Sequence, residues 1–324
     1  MEPSIDVVGV GNAIVDVIST VSHEFIAEHH LVKGSMTLID AGRATSLYGF
    51  MPPGIESSGG SAANTSVGVV SMGGRSAFLG KVRDDQLGSV FIHDLRAAGV
   101  GFDVAPGEDG DPTARCLIQV TPDAERTMNT FLGKSVDFSP DDVDEEVVAS
   151  AAVTYCEGYL WDAEVAKAAM HRAMDIAHSE GRKVSLTLSD SFCVDRYRDE
   201  WLNLLADKID VVFANEAEIC SLFETDDFHS ASNQIRDIVE VSALTRSAAG
   251  SVVVAGDHTI PVAAVPVDEV VDATGAGDLY AAGFLFGVAK GSDLGECAHL
   301  GGIAAAEIIS HIGARPRVEL ASLI

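Results

Sequence analysis

Short apolar, β-branched stretches recur along the chain, separated by segments in which apolar residues return every three or four positions. The first stretch, Ile5-Asp-Val-Val-Gly-Val, predicts a strand closing on glycine. Similar runs at 77–82, 153–160, 183–188, 209–214 and 251–255 predict further strands. Between most of them the period is helical. In 86–98, Leu87, Val90, Phe91, Leu95 and Ala98 share one face. Ser139-Pro140 ahead of the acidic run from Asp141 to Glu146 predicts a helix start, since a hydroxyl cap, an N1 proline and first-turn carboxylates all suit unpaired N–H groups. Strands alternating with helices predict a mostly parallel sheet covered on both faces.

Two segments, 12–50 and 102–132, are less helical in pattern. Within the second, 113–120, a turn at Pro122-Asp123-Ala124 and 126–132 predict a β-hairpin. The two segments are expected to form a small β lid, leaving 1–11, 51–101 and 133–324 as an α/β core. No repeat or low-complexity linker separates them.

The 324 residues are 47% hydrophobic and 22% charged, ample for a buried core. The net charge of −28 sets the chain apart. It speaks against nucleic acid or an anionic membrane as partner, because nothing would neutralise their phosphates. An anionic substrate would need a pocket made locally positive by backbone dipoles and a few arginines. No basic segment leads into an apolar stretch at the N-terminus, and no apolar run is long enough to span a bilayer. Cys116, Cys156, Cys193, Cys220 and Cys297 are dispersed, as expected of reduced thiols in a cytoplasmic protein. Asn64-Thr-Ser matches a glycosylation sequon, which carries no weight without a secretion signal. Monomer and homodimer are both compatible with the sequence.

Candidate chemistry concentrates in two glycine-rich segments. In Val-Val-Asp272-Ala-Thr-Gly275-Ala276-Gly277-Asp278 an apolar run meets glycines and then a helix. A helix N-terminus offers free N–H groups and partial positive charge, so it holds phosphate well. Asp278 is there either an ordinary helix cap or a general base beside an anion hole. The second segment, Ser58-Gly59-Gly60-Ser61-Ala-Ala-Asn64, introduces a helix over 62–72 and offers hydrogen bonds to hydroxyls from Ser61 and Asn64.

These motifs resemble those of the ribokinase-like (PfkB) family of carbohydrate and nucleoside kinases, almost end to end. Gly59-Gly60-Ser-Ala-Ala-Asn64 is similar to its N-terminal signature, and 272–278 to its C-terminal D-T-x-G-A-G-D. Asn215-Glu216-Ala217-Glu218 resembles the N-x-x-E motif linked to magnesium and phosphate, and Thr245-Arg-Ser247-Ala-Ala-Gly250 the T-x-G-x-x-G stretch beside the nucleotide. Ala304-Ala305-Ala-Glu and Ile312-Gly313-Ala314 resemble the helix and loop along the adenine of ATP. The resemblance implies a three-layer α/β/α core with a mostly parallel central sheet plus a small β-structured lid. It implies ATP and Mg2+, with K+ as a further candidate ion, and a nucleoside acceptor, adenosine foremost, phosphorylated at its 5′-hydroxyl.

By the same resemblance Asp278 is the base, and the backbone N–H groups of Gly275, Ala276 and Gly277 form the anion hole. Arg126 reaches from the lid toward the phosphates; the alternative is a lid salt bridge. Asn12 and Asp16 grip ribose hydroxyls together with Gly59, Gly60, Ser61 and Asn64, while Ile14 and Phe192 hold the base. Tyr159 and Leu160 lie near the other base-contacting position. Asn215, Thr245, Ser247, Gly250, Gly277 and Ala305 serve the nucleotide, and Glu218 serves magnesium indirectly. Two positions depart from the family pattern. Ala273 replaces the usual Thr, which bears on monovalent-cation binding, and Ser247 replaces the usual Gly.

A sugar kinase of the same family, for fructose or ribose, is the nearest alternative. A dinucleotide-binding oxidoreductase, suggested by Gly9-Val-Gly11, fails because Ile14 stands where a third glycine belongs. A non-catalytic binding protein would be expected to lack Asp278 or the anion-hole glycines, and both are present.

Overall fold

The computed structural model describes residues 3–123 and 125–324. Ala124, in the expected hairpin turn, lies outside them. The chain begins β1 (Ile5–Val10), β2 (Ile14–Thr20), α1 (His23–Glu28), β3 (Met36–Leu38), α2 (Ala41–Phe50), β4 (Ile55–Gly59) and α3 (Ser61–Ser71). It continues through β5 (Ser76–Leu79), α4 (Gln86–Ala97), β6 (Ala114–Val120), β7 (Arg126–Phe131), α5 (Glu145–Ala149), β8 (Ala151–Glu157), α6 (Glu164–Ser179) and β9 (Lys183–Thr187). The last third holds α7 (Ser191–Lys208), β10 (Val211–Asn215), α8 (Glu216–Leu222), α9 (Phe228–Ile235), β11 (Val241–Thr245), β12 (Ser251–Ala255), β13 (His258–Val262), α10 (Ala276–Lys290) and α11 (Leu294–Ile309).

Eight strands form one sheet in the order β13-β12-β11-β10-β9-β8-β1-β5. The six from β11 to β5 are parallel, and β12 and β13 are added antiparallel at one edge. Alternation along each strand sends side chains to opposite faces. Val8, Val10, Val212 and Ala214 pack with α5–α9, while Val7, Tyr155, Val211 and Phe213 pack with α3, α4, α10 and α11. The expected three-layer α/β/α core is therefore present.

The second sheet has five strands in the order β3-β7-β6-β2-β4, with parallel and antiparallel pairs mixed. β6 and β7 form the expected hairpin. β4 pairs with β2 in this sheet, so 55–59 stands apart from the rest of 51–101. The segment 12–50 contains two helices, with α2 capped by Asp40 and contributing Leu47 to a small cluster with Val17 and Leu117.

Three other local features differ from the sequence expectation. The helix expected from Ser139 is split. Ser139 caps only the 3-10 turn Pro140–Asp142, and Asp144 then caps α5 by accepting from the N–H groups of Glu146 and Val147. β8 stops at Glu157, and Gly158–Asp162 is a 3-10 turn. β11 and β13 carry no distinctive apolar run and are fixed by pairing with β12. No helix among the described residues is long and apolar enough to cross a membrane, and all five cysteines are free.

Candidate active site

The carboxyl ends of β1, β8, β9, β10 and β11 face one side of the lid sheet across a cavity of about 580 Å³. Open parallel sheets bind ligands at this end, where strand-to-helix turns converge. The expected residues Asn12, Ile14, Asp16, Gly60, Ser61, Asn215, Glu218, Thr245, Gly275, Ala276, Gly277 and Asp278 all line it.

α10 opens on Gly275, whose φ of 79° is left-handed and suits glycine. Gly275 is the cap and Asp278 the third helical residue, so Asp278 does not cap its own helix. Its carboxylate is held from the opposite segment: Ser61 Oγ donates to Oδ1 at 2.7 Å and Asn64 Nδ2 to Oδ2 at 2.8 Å. Burial raises its pKa, against the pull of those two bonds and the Arg315 charge. Asn64 Oδ1 is buried without a hydrogen-bond partner. Gly60, at φ 94°, precedes α3, and a Cβ there would lie 2.3 Å from the Asn12 carbonyl.

Asp16 lines the same cavity. Burial lifts it to about 6, with Arg315 and Arg126 opposing and Asp278 adding to the rise. Gly59 lies against its carboxylate. Asn12 is buried, its Nδ2 donating to Glu157 and its Oδ1 accepting from Ser135 Oγ. Arg126 pairs with Asp272, both nearly buried, and so ties β7 to the segment leading into α10. Asp272 also accepts from Thr274 N and Oγ1 and from Gly313 N.

At the end of β10, also on the cavity wall, Asn215 caps α8 in a reciprocal box: Glu218 accepts from Asn215 N at 3.0 Å and Nδ2 at 2.6 Å. Burial lifts Glu218 to about 7. Its oxygens are engaged, so it fits a magnesium ion through water better than directly. Ser247 sits at φ 50° and Gly250 at φ 82° around the turn that follows β11. The left-handed angle explains why glycine is the ordinary choice at 247. Arg246 forks onto Glu216 at 2.9 and 3.0 Å and lies over the Phe228 ring, fixing the turn.

Several expected residues stand apart from the cavity wall. Phe192 is 72% exposed. Asp190 caps α7 and turns Cys193 and Val194 into the core, leaving Phe192 on the outer side. The apolar wall comes instead from the lid, where Ile14, Met36, Leu38, Ile118 and Met128 line the cavity. Tyr159 lines it too, whereas Leu160 is in the core. Ala305 packs against the core, and Ser247 and Gly250, in the turn after Thr245, do not line the cavity.

Sequence patterns missed Glu157 and Arg315. Glu157 ends β8, and no motif in the sequence includes it. Arg315 donates to Ser58 O and Oγ and to Ala63 O, and burial lowers it to about 10.

Residues 55–320 match the family described as pfkB family carbohydrate kinase. The adenosine kinase of Sinorhizobium meliloti, a solved structure, is 52% identical with a TM-score of 0.93, covering 98% of each chain. A probable sugar kinase from Rhizobium etli is 49% identical with a TM-score of 0.94, covering 99% of this chain and 98% of that one. The adenosine kinase of Saccharomyces cerevisiae is 26% identical over 94% of each chain.

Proposed function

The chain belongs to the pfkB family of carbohydrate kinases, which transfer a phosphoryl group to a hydroxyl, and on that footing we propose that it phosphorylates adenosine at the 5′-hydroxyl with ATP and magnesium. The observation that carries this reading is the composition of the cavity. A carboxylate held by two donors stands at a helix N-terminus, facing an acceptor end that joins Asp16 to an apolar wall. A ribose needs the first part and a base needs the second. The similarity to the Sinorhizobium meliloti adenosine kinase supports the same choice.

In this reading Asp278 accepts the proton of the 5′-hydroxyl. Ser61 and Asn64 hold its two oxygens so that the remaining lone pairs face the acceptor, and the raised pKa makes the carboxylate a stronger base than an exposed Asp. The N–H groups of Gly275 and Gly277 at the start of α10 would stabilise developing negative charge on the phosphoryl group, whereas that of Ala276 donates to Ala273 O at 3.2 Å and would have to be released to join them. Asn215 and Glu218 would hold magnesium through its water shell, and the ion would supply charge neutralisation at the phosphates. Asp16 accepts from ribose hydroxyls, and the unpartnered Asn64 Oδ1 can take a further hydroxyl proton. A fructose or ribose kinase is the second reading, favoured by the similarity to the Rhizobium etli probable sugar kinase.

The test of the reaction is product analysis by phosphorus NMR with adenosine, ATP and magnesium. The wild type is expected to form AMP. Asp278→Asn is expected to lose about 10³-fold or more in kcat while binding adenosine within threefold of wild type. Near-normal turnover by Asp278→Asn would remove the base from this account.

A further inference from the structure

Four chain passages join the two sheets: β1 to β2, β4 to β5, β5 to β6 and β7 to β8. Three of them converge on a single buried side chain, Glu157 at the end of β8, which is 1% exposed. Its Oε1 accepts from Asn12 N and from Asn12 Nδ2, each at 2.8 Å, where the chain leaves β1 for the lid. Its Oε2 accepts from Ala62 N at 2.8 Å, where the chain returns from β4 into α3. The third passage reaches it through Asn12, whose Oδ1 accepts from Ser135 Oγ at 2.9 Å just after β7. The backbone closes tightly on the carboxylate: a Cβ at Gly11 would lie 2.3 Å from Oε2.

Each oxygen therefore faces donors alone, which only a carboxylate can satisfy on both sides. The segments so joined carry the acceptor machinery. Asn12 lies at the hydroxyl end of the cavity, and the first turn of α3 carries Ser61 and Asn64, which hold Asp278.

We propose that Glu157 is a positioning residue of the lid hinge, fixing Asn12 and the start of α3 relative to each other so that acceptor hydroxyl and base meet in register. The assignment of the acceptor end rests on the reading given under Proposed function; the hinge role does not. Glu157 leaves the donor end untouched, since Asn215 and Thr245 stand on other strands and Glu218 on α8. Glu157→Gln keeps the shape and the acceptor toward Asn12 but turns an amide N–H2 against Ala62 N–H.

Two measurements on the full chain test this. In steady-state kinetics, Glu157→Gln is expected to raise KM for the acceptor at least tenfold with KM for ATP within twofold of wild type. Ser135→Ala, which removes only the outer link, is expected to move the acceptor KM in the same direction by a smaller factor. A general loss of folded enzyme would instead lower kcat with both KM values unchanged. An unchanged acceptor KM, or a parallel rise in both, would overturn the proposal. The second measurement needs no substrate. Hydrogen exchange in Glu157→Gln is expected to accelerate at least tenfold in peptides covering 9–15 and 60–66, and not in those covering 209–215. Unaltered exchange at the first two would overturn the hinge role, and should Glu157→Gln fail to fold, Ser135→Ala is read in the same way at 9–15. Failure of the wild type to phosphorylate any nucleoside would overturn the functional reading alone, leaving the exchange result to decide this one.

Discussion

Asp278 shows how far single residues could be read. In the sequence it was equally a helix cap and a base. The structure removes the first option by giving the cap to Gly275 and by drawing the carboxylate toward Ser61 and Asn64. Its motif was legible because the glycines and the acid stand together from 272 to 278, even though the partners of its carboxylate lie far away in the sequence. Glu157 was not legible because its partner Asn12 is 145 positions away and no motif surrounds the single glutamate that ends β8. Phe192 lies on the outer side of the first turn of α7, an orientation that its motif did not specify. The two acids at the acceptor end make a prediction about pH. Burial raises both Asp16, to about 6, and Asp278, so each loses its charge at a higher pH than an exposed Asp. The proposed roles require both as carboxylates, so kcat/KM for the acceptor is expected to rise with pH through about 6, where Asp16 ionises, and to level off once Asp278 has ionised as well. Below that point it should fall roughly tenfold or more per pH unit, with a shallower slope in Asp16→Asn. A flat profile between pH 5 and 8 would contradict the assignment.

At the scale of elements, the core strands were legible because β-branched runs buried on both faces resemble nothing else. The lid was less so. β4, Ile-Glu-Ser-Ser-Gly, has one apolar side chain, and that one is exposed, so only its pairing with β2 makes it a strand. The lid is joined to the core through Arg126 and Asp272. Asp272 keeps three other donors when that partner is removed, so Arg126→Ala is expected to cost about 2 kcal/mol, near the value of one charged hydrogen bond lost in a shielded site. Chemical denaturation measures it. The double variant Arg126→Ala with Asp272→Asn should lose less than the sum of the single losses. Strict additivity would mean that the pair does not couple lid to core.

For the whole molecule, the net charge of −28 and the phosphate-holding role proposed for α10 pull in opposite directions. In the proposed reaction ATP approaches a repelling surface before it meets the start of α10. Salt screens the long-range repulsion more than the short-range contacts. KM for ATP is therefore expected to fall as salt rises from about 0.05 to 0.5 M, whereas KM for an uncharged acceptor stays constant. A rising KM for ATP would show that local positive charge governs the encounter.

The choice of acceptor is the central claim, and it rests on the apolar wall that the lid contributes through Ile14, Met36, Leu38, Ile118 and Met128. A sugar has no surface to bury against those side chains, and a nucleoside does. The most direct measurement is a comparison of kcat/KM for adenosine, inosine, guanosine, ribose and fructose under one set of conditions. The account predicts that adenosine exceeds ribose and fructose by at least about 100-fold, the scale of burying a base in an apolar pocket. Fructose or ribose matching or exceeding adenosine would contradict it.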